Sequence, residues 1–539
     1  MCNYKMIIFI LCLTESATLA GQSVAGQIPL TLEIREGFIQ KALQLREAGN
    51  FSAAIDQLDS ILSAQGNDAP TLLLKGDLLA QDYQFDEAVN TYQDLLALDY
   101  EKTITQINLS YALFMNHKPS QALPYARGAW QRDTTNAGAI VNYFNALLWN
   151  LETRKAAAFL SNYGAGLEPD RLLVMQARLY TTSGNYQGGL KYYDSLASNY
   201  PNKYYIREYI EVLLAKKEIR QSANLLEHSR QYFTSNECHT IEQKIQAARM
   251  QNVGTSFSYF KDVAKNFRIE KSAWWLQSQD RAYRFGVRTG SSTLFSSQQS
   301  NSRTLYAGLT ISEKWSSAWS GQTDISLQRI SSQENQIFTT VTGKQSLEFR
   351  PNDRRTFGLS FSSDILDFTS TLLGKNIRSN NVGYLTHIML NGKIGMYSQG
   401  SWGTISDGNE KLQFFGSLYH LFSSQPLLKA GINFSALHFS EDKIISYFSP
   451  NQFLSTELFG DYRTAQLGSS RLYLNTQAAV GMQRIEGREW EPTLRLEAEL
   501  NFQINRFESS LKYSTSNVAS RAGTGYKYQR LTYKLIWKW

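Results

Sequence analysis

Cysteine is scarce in this chain of 539 residues, which has three: Cys2, Cys12 and Cys238. The first two lie in a segment that we expect to be removed, so the mature chain keeps Cys238 alone and can form no internal disulfide. Proline is also rare, at 10 residues, and only 19% of residues are charged, which argues against long disordered stretches. Beyond the N-terminus no window has 18 consecutive apolar residues, which excludes an internal transmembrane helix.

The first twenty residues have the pattern of a secretory signal peptide. Lys5 precedes an apolar run from Met6 to Leu13, and Thr18-Leu19-Ala20 forms a small-residue cleavage site. We expect cleavage after Ala20. The sequence therefore predicts that the protein is exported from the cytoplasm.

Signatures of catalysis are missing as well. There is no His-Glu-x-x-His, no Gly-x-Ser-x-Gly and no phosphate-binding glycine loop. The C-terminal half has His387, His420 and His438, none in a recognisable Ser-His arrangement. Glu237-Cys238-His239 are adjacent on a predicted helix and point in different directions. We predict no enzymatic activity, no metal, no cofactor and no nucleic-acid partner.

Residues 30–247 carry a repeat of about 34 residues. A small residue recurs at Ala54, Ala88, Ala122, Ala156, Gly189 and Ala223. This period resembles that of tetratricopeptide repeats and implies six helix pairs stacked as a superhelix. Such a superhelix offers a binding surface to periplasmic proteins or a polymer. The alternative is a spacer without a ligand.

Near residue 250 the apolar period changes from helical to two, which marks the start of a second domain, residues 252–539. Its clearest strand runs from Thr493 to Phe502. The apolar residues of this strand share one face: Leu494, Leu496, Ala498, Leu500 and Phe502. Its charged residues share the other: Arg495, Glu497 and Glu499. A soluble β-sandwich alternates in the same way, so alternation alone does not decide between the two.

The number and length of the strands favour a membrane barrel. Sixteen strand-like stretches follow one another from about residue 252 to the end, most about ten residues long and separated by turn residues. An even number of short strands is typical of outer-membrane barrels. The predicted fold class is thus α+β multidomain: a tetratricopeptide superhelix followed by a transmembrane antiparallel β-barrel of about 16 strands.

The last strand has an aromatic face. This face carries Leu531, Tyr533, Leu535, Trp537 and Trp539, because strand side chains alternate faces. This terminus resembles the C-terminal signal of outer-membrane barrels, which typically ends on an aromatic residue. The resemblance implies that the strand closes the barrel and is recognised by the barrel-assembly machinery.

Tyr447-Phe448-Ser449-Pro450 resembles a segment in the C-terminal barrel of the outer-membrane component of bacterial cellulose synthase and related exopolysaccharide export porins. The barrel half is also similar to the YaiO-type outer-membrane family, whose members can carry N-terminal repeats. These resemblances imply a bacterial outer-membrane location, a periplasmic repeat domain and a polysaccharide chain in the pore. The cellulose proteins have far more repeats than this chain. The alternative for the four residues is a proline-fixed turn with no role in the pore.

The excess of positive charge lies in the barrel half. Residues 252–539 contain 32 Lys and Arg against 22 Asp and Glu. Lumenal arginines would favour an acidic glycan, whereas cations at the rims would contact lipopolysaccharide phosphates. Glu497 and Glu499 beside Arg495 predict a lumen of mixed sign. The function predicted is a conduit for exopolysaccharide export, and the alternative is a non-transport barrel acting as an assembly scaffold or surface receptor.

Overall fold

The computed structural model describes residues 31–278, 280–296, 301–332, 336–424, 426–441, 447–464, 472–518 and 527–539. The predicted signal peptide, residues 1–20, lies outside the described residues. The chain divides into two compact units between Tyr100 and Glu101. The first contains four helices, and the second contains nine more helices followed by the strands.

Thirteen α-helices of the described chain precede the first strand. They are α1 Leu32–Glu47, α2 Phe51–Ala64, α3 Ala69–Gln81, α4 Phe85–Ala97, α5 Lys102–Met115, α6 Pro119–Arg132, α7 Ala137–Trp149, α8 Thr153–Tyr163, α9 Pro169–Thr182, α10 Tyr186–Asn199, α11 Lys203–Ala215, α12 Ile219–His228 and α13 Ser235–Arg249. Within the described residues no helix is both long enough and apolar enough to cross a membrane.

The turn inside each helix pair repeats in step with the sequence period. One residue of each turn has a left-handed backbone: Gly49, Tyr83, His117, Leu151, Gly184 and Lys217. The second helix of the pair begins two residues later in every case. Asn50 and Asn185 cap their helices by accepting from the backbone N–H three residues on.

Small residues allow the paired helices to approach closely. A Cβ placed on Gly76 of α3 would lie 2.6 Å from a ring carbon of Tyr92 in α4. One placed on Gly189 of α10 would lie 2.5 Å from Cγ2 of Thr181 in α9. Gly189 is one of the small residues that recur with the repeat, and the helical-repeat part of the fold prediction is confirmed.

The rest of the described chain forms sixteen strands and one short helix. The strands are β1 Asn252–Asp262, β2 Phe267–Leu276, β3 Tyr283–Phe295, β4 Asn301–Lys314, β5 Trp319–Ser332, β6 Ile337–Asn352, β7 Arg355–Ile365, β8 Arg378–Met389, β9 Ile394–Ile405, β10 Glu410–Ser424, β11 Leu427–Phe439, β12 Phe453–Arg463, β13 Leu472–Ile485, β14 Glu491–Ile504, β15 Phe507–Ser516 and β16 Tyr528–Lys538. The helix, α14 Ser370–Gly374, follows β7.

The strands close into one antiparallel barrel. Each strand pairs with the next along the chain, and β16 pairs with β1 in a register that runs from Asn252 opposite Lys538 to Asp262 opposite Tyr528. Closure leaves no unpaired edge, as a structure that spans a bilayer requires. The prediction of a sixteen-stranded antiparallel barrel is confirmed.

The outer face of the barrel is apolar and carries aromatic residues towards both ends. We call the end where β1 begins and β16 stops the near end, and the opposite one the far end. Exposed aromatic residues towards the near end include Trp315, Trp319, Phe422, Phe507, Trp537 and Trp539. Those towards the far end are Tyr259, Phe361, Trp402, Phe414 and Tyr513. Two aromatic girdles around an apolar band are the pattern of a barrel in lipid.

Within the second unit, the turns between repeat helices lie against the near end of the barrel. The Asp353 backbone N–H donates to the Gly184 carbonyl at 2.9 Å, and the Asp353 carboxylate lies 2.5 Å from Lys216 Nζ. Glu218 pairs with Lys314 at 2.8 Å. Turns of successive repeats therefore contact the same part of the barrel rim.

Candidate functional site: the barrel lumen

The inner face of the barrel is polar, because the strands alternate faces. On β14 the apolar residues from Leu494 to Phe502 point outwards. Arg495 is buried on the inner side, and Glu497 pairs with Lys512 of β15 at 2.8 Å. Glu499 lies opposite Lys512 in the strand register. The structure thus places the three predicted charged residues on the lumenal wall.

A cavity of about 490 Å³ lies in the half of the lumen closer to the near end. Its wall includes the rings of His387, Tyr397, Phe415 and Tyr419, on the adjacent strands β8, β9 and β10. We call it the lumenal cavity. Tyr397 and Phe415 meet edge to face, with ring centres 5.9 Å apart. His387 Nε2 lies 2.7 Å from the Tyr419 hydroxyl, which fixes the position of that phenol.

Tyr419 faces glycine on both neighbouring strands. Its register partners are Gly395 on β9 and Gly431 on β11. A Cβ placed on Gly395 would lie 2.2 Å from Cζ of Tyr419, so the ring occupies the space that a side chain there would need. An aromatic residue opposite glycine lies across the sheet and covers the gap. Trp274 opposite Gly254 repeats the arrangement on the wall half a circumference away.

A chain of polar contacts continues the cavity wall across β11 to β14. Lys429 pairs with Asp461 at 2.9 Å. Gln477 donates to Asp461 at 2.5 Å and accepts from Arg495 at 2.9 Å. Arg495 also pairs with Glu457 at 3.1 Å, and both side chains are about 4% exposed. A buried pair of this kind holds its side chains in place only while both partners are present.

A second cavity, of about 590 Å³, lies between the repeat turns and the near end of the barrel. Tyr186 and Lys216 line it from the repeats, and Arg284 and Trp319 from the barrel. Glu348 and Arg350 line both cavities, so the two adjoin. Together they mark a path from the repeat helices into the lumen.

The far mouth is occupied by chain that folds across it. Residues 366–377, which include α14, and residues 447–452 form what we call the far-mouth plug. Its apolar cluster contains Leu372, Ile405, Leu437, Phe439, Tyr447, Phe453, Ile485 and Val518, with Phe448 packed against them. These residues come from β9, β11, β12 and β13, from the plug segments and, for Val518, from the chain that follows β15.

Polar contacts fasten the plug to the other side of the wall. The hydroxyls of Ser370 in α14 and Ser302 in β4 lie 2.5 Å apart, both buried. Arg268 of β2 pairs with Asp367 at 2.6 Å. The plug therefore connects β2 and β4 on one side with β9 to β13 on the other.

The four predicted loop residues lie in this plug rather than along the middle of the lumen. Tyr447 is almost fully buried, and burial raises the pKa of its hydroxyl well above the ordinary value. That hydroxyl donates to Asp407 at 3.1 Å and accepts from Asn409 at 3.0 Å. Ser449 is buried, and the Pro450 carbonyl accepts from Phe439 N–H.

The C-terminal residues lie on the outer face. Leu531, Tyr533, Leu535, Trp537 and Trp539 are each between 38% and 51% exposed. Trp537 stacks on Phe507 of β15, and the Trp539 backbone pairs with Gln251 in both directions. The strand seals the barrel between β15 and β1.

Several lumenal residues were not singled out from the sequence as part of a site. The alternation around Tyr397, Phe415 and Tyr419 is the same as in any strand of the barrel. Glu457 and Lys429 lie on different strands from Arg495, so the sequence alone does not bring them together. The one signal that could have found them is a glycine opposite an aromatic residue on the neighbouring strand. Recognising such a pair requires the strand register to be known. In the described part of the chain, no cluster of three or more His, Cys, Asp or Glu could hold a metal ion.

The closed barrel, its apolar outer band and its polar lumen define the class: an outer-membrane β-barrel preceded by tetratricopeptide-type helix pairs. No protein-family model matches the sequence, and no curated protein matches it. Among solved structures, the chain is similar to one described as a bacterial polysaccharide outer membrane secretin. Identity is 10% and the TM-score 0.43, over 54% of this chain and 99% of that one.

Two tetratricopeptide proteins are similar to the helical part. One, from Parabacteroides merdae, has 14% identity and a TM-score of 0.31, over 40% of this chain and 86% of that one. The other is a thermophilic protein from Thermus thermophilus, with 18% identity and a TM-score of 0.29. That match covers 33% of this chain and 99% of the solved one.

Proposed function

We propose that this protein is an outer-membrane conduit for export of an exopolysaccharide, with its repeat helices in the periplasm. The lumenal cavity carries the proposal. A barrel of sixteen strands is wide enough for an aqueous lumen, and this lumen combines ring faces with densely hydrogen-bonded polar groups. Sugar rings have both apolar C–H faces and hydroxyls, so such a wall can guide a glycan through the lumen without a catalytic step.

The adjoining cavities give the route. A chain arriving along the repeats enters beside Tyr186 and Lys216, passes Glu348 and Arg350, and reaches the rings around Tyr419. It leaves at the far mouth, where the plug must be displaced. An apolar constriction resists the passage of ions and water until it opens.

The remaining partners follow from the surface. The aromatic face of β16 serves as the strand that the barrel-assembly machinery recognises, and basic residues at the rims contact lipopolysaccharide phosphates. Changing Trp537 and Trp539 together to Ser is expected to abolish the heat-modifiable barrel form in outer-membrane fractions. Normal assembly of that variant would remove this part of the proposal.

Secretion in the native host tests the conduit directly. Deletion of the chain is expected to remove extracellular polysaccharide and to leave glycan in the periplasm, and a plasmid-borne copy is expected to restore secretion. Unchanged extracellular polysaccharide in the deletion strain would contradict the proposal.

The plug favours one second candidate, a closed barrel that acts as a scaffold or surface receptor. A barrel that never opens would keep the buried Ser302–Ser370 contact throughout its working cycle. Secretion that survives the deletion while periplasmic partners are lost from the outer membrane would support this candidate instead.

A further inference from the structure

The lumenal cavity has a charge balance that bears on the kind of glycan it accepts. Among the described residues lining it, the cations are Arg350, Lys429 and Arg495. Each is paired with a carboxylate: Arg350 with Glu348 at 2.6 Å, Lys429 with Asp461 at 2.9 Å and Arg495 with Glu457 at 3.1 Å. The positive charge of the barrel half is therefore neutralised at this cavity.

The pairs still present hydrogen-bonding atoms to the lumen. Gln477 links Asp461 to Arg495, so donors and acceptors alternate along the wall. A sugar hydroxyl both donates and accepts hydrogen bonds, so it can bind to a wall on which donors and acceptors alternate. A carboxylate, sulfate or phosphate would need an unpaired cation in place of one already neutralised.

The rings provide the other half of the recognition surface. The Tyr419 ring lies across Gly395, and its hydroxyl is held by His387. Lys429 Nζ lies over the Tyr419 ring, 5.0 Å from its centre, so a polar donor stands at the ring face. An aromatic face next to hydrogen-bonding groups fits a pyranose with an apolar side and a hydroxylated rim.

We infer that the lumenal cavity is a binding subsite for uncharged pyranose units of the exported chain, with Tyr419 as its stacking platform. The inference rests on the proposed function and names its substrate class. It replaces the acidic glycan that the overall charge of the barrel favours. The subsite binds weakly enough to release each unit and selects against uronates because their carboxylates find no free cation.

Binding to the purified full-length protein in detergent tests the subsite. The probes are linear oligomers of equal length: a neutral β-glucan, a galacturonan and a chitosan. We expect the neutral oligomer to bind at least about tenfold more tightly than either charged one. Its affinity is expected to change little between about 0.02 M and about 0.5 M salt, because no ion pair forms with the ligand.

Variants assign the binding to the ring. Tyr419→Ala is expected to weaken neutral-oligomer binding by about tenfold, and Tyr419→Phe to keep most of it because the ring remains. Tyr384→Ala is the matched control. Tyr384 stands opposite Gly400 in the same aromatic-glycine arrangement, but on the outer face of the barrel. This control is expected to bind as the unchanged protein does.

Tighter, salt-sensitive binding of the galacturonan would overturn the neutral class, and so would preference for the chitosan. Equal loss in the Tyr384 and Tyr419 variants, or no loss in either, would overturn the assignment to Tyr419. Absence of all saccharide binding would overturn the subsite. The secretion assay separates these outcomes from failure of the conduit, because a conduit without this subsite still requires the protein for export.

Discussion

At the scale of single residues, the lumen is organised by buried charges that depend on each other. Arg495 and Glu457 stand on strands separated by β13, and their contact was not visible in the alternation of either strand. The sequence did place Arg495, Glu497 and Glu499 on the water-facing side, because alternation alone settles which face a residue occupies. It could not pair them, because pairing requires strand register.

Arg495→Met is expected to destabilise the barrel by about 3–5 kcal/mol, because it leaves the Glu457 carboxylate buried without a counter-charge. The free energy of unfolding in lipid vesicles, measured by denaturant titration, checks this. The double variant Glu457→Leu/Arg495→Met is the control and is expected to regain most of the loss. A double variant as unstable as the single one would show that the pair is not the cause.

Tyr205 in α11 makes the repeat helices sensitive to alkali. Burial raises its pKa to about 12, helped by the hydrogen bond that its hydroxyl donates to Asp170 at 2.8 Å. The unfolded chain loses this proton near the ordinary pKa of 10.0. The neutral form therefore contributes stability below pH 10 that disappears as the pH rises towards 12.

Tyr205→Phe is expected to make the fall in stability between about pH 10 and about pH 12 less steep, because one proton fewer is then lost on unfolding. The far-ultraviolet helix signal during denaturant titration of the full chain measures it. Tyr204→Phe is the matched control, since Tyr204 is 70% exposed. An identical pH slope in all three proteins would contradict the role given to Tyr205.

At the scale of elements, the strands and repeats follow from local pattern, whereas the far-mouth plug does not. Sixteen alternating stretches and a small residue every 34 positions are signals written within each element. The apolar cluster at the plug brings together Leu372, Tyr447 and Val518, which are far apart in the sequence. No local sequence pattern explains why each of these positions is apolar. From the sequence, Tyr447 to Pro450 could either line the pore or form a structural turn. The structure places them in the plug.

Replacing residues 369–375, which contain α14, with a short Gly-Ser linker is expected to raise single-channel conductance in planar bilayers several-fold, because an apolar constriction is removed. Replacing residues 487–490, a far-end turn, with the same linker keeps the contacts of Glu486 with Asn451 and Gln452 of the plug and is expected to leave conductance low. Equal conductance in both variants and the unchanged protein would mean that the plug does not close the lumen.

At the scale of the whole molecule, three parts follow one another: the repeat turns of the second unit against the near end, a lumen lined by rings and paired charges, and a plug at the far mouth. The two-domain order and the fold of each domain could be predicted from period and composition. The class of glycan could not, because the excess of Lys and Arg in the barrel half disappears locally once Lys429, Arg350 and Arg495 meet their carboxylates. The resemblance to cellulose-export and YaiO-type proteins stays a prediction.

The central claim is that the glycan leaves through the lumen past a displaced plug, and a disulfide lock tests it. Ser302→Cys and Ser370→Cys, at positions whose hydroxyls lie 2.5 Å apart, would tie α14 to β4 by a disulfide. Among the described residues the free cysteine is Cys238, which is buried in α13 and can be changed to Ser beforehand; Cys2 and Cys12 lie in the segment that we expect to be removed. The measurement is polysaccharide secreted by cells carrying the oxidised lock, with each single-cysteine variant as control. The account predicts that the lock stops secretion and that a reductant restores it, while the single variants secrete normally; undiminished secretion through a fully formed lock would contradict it.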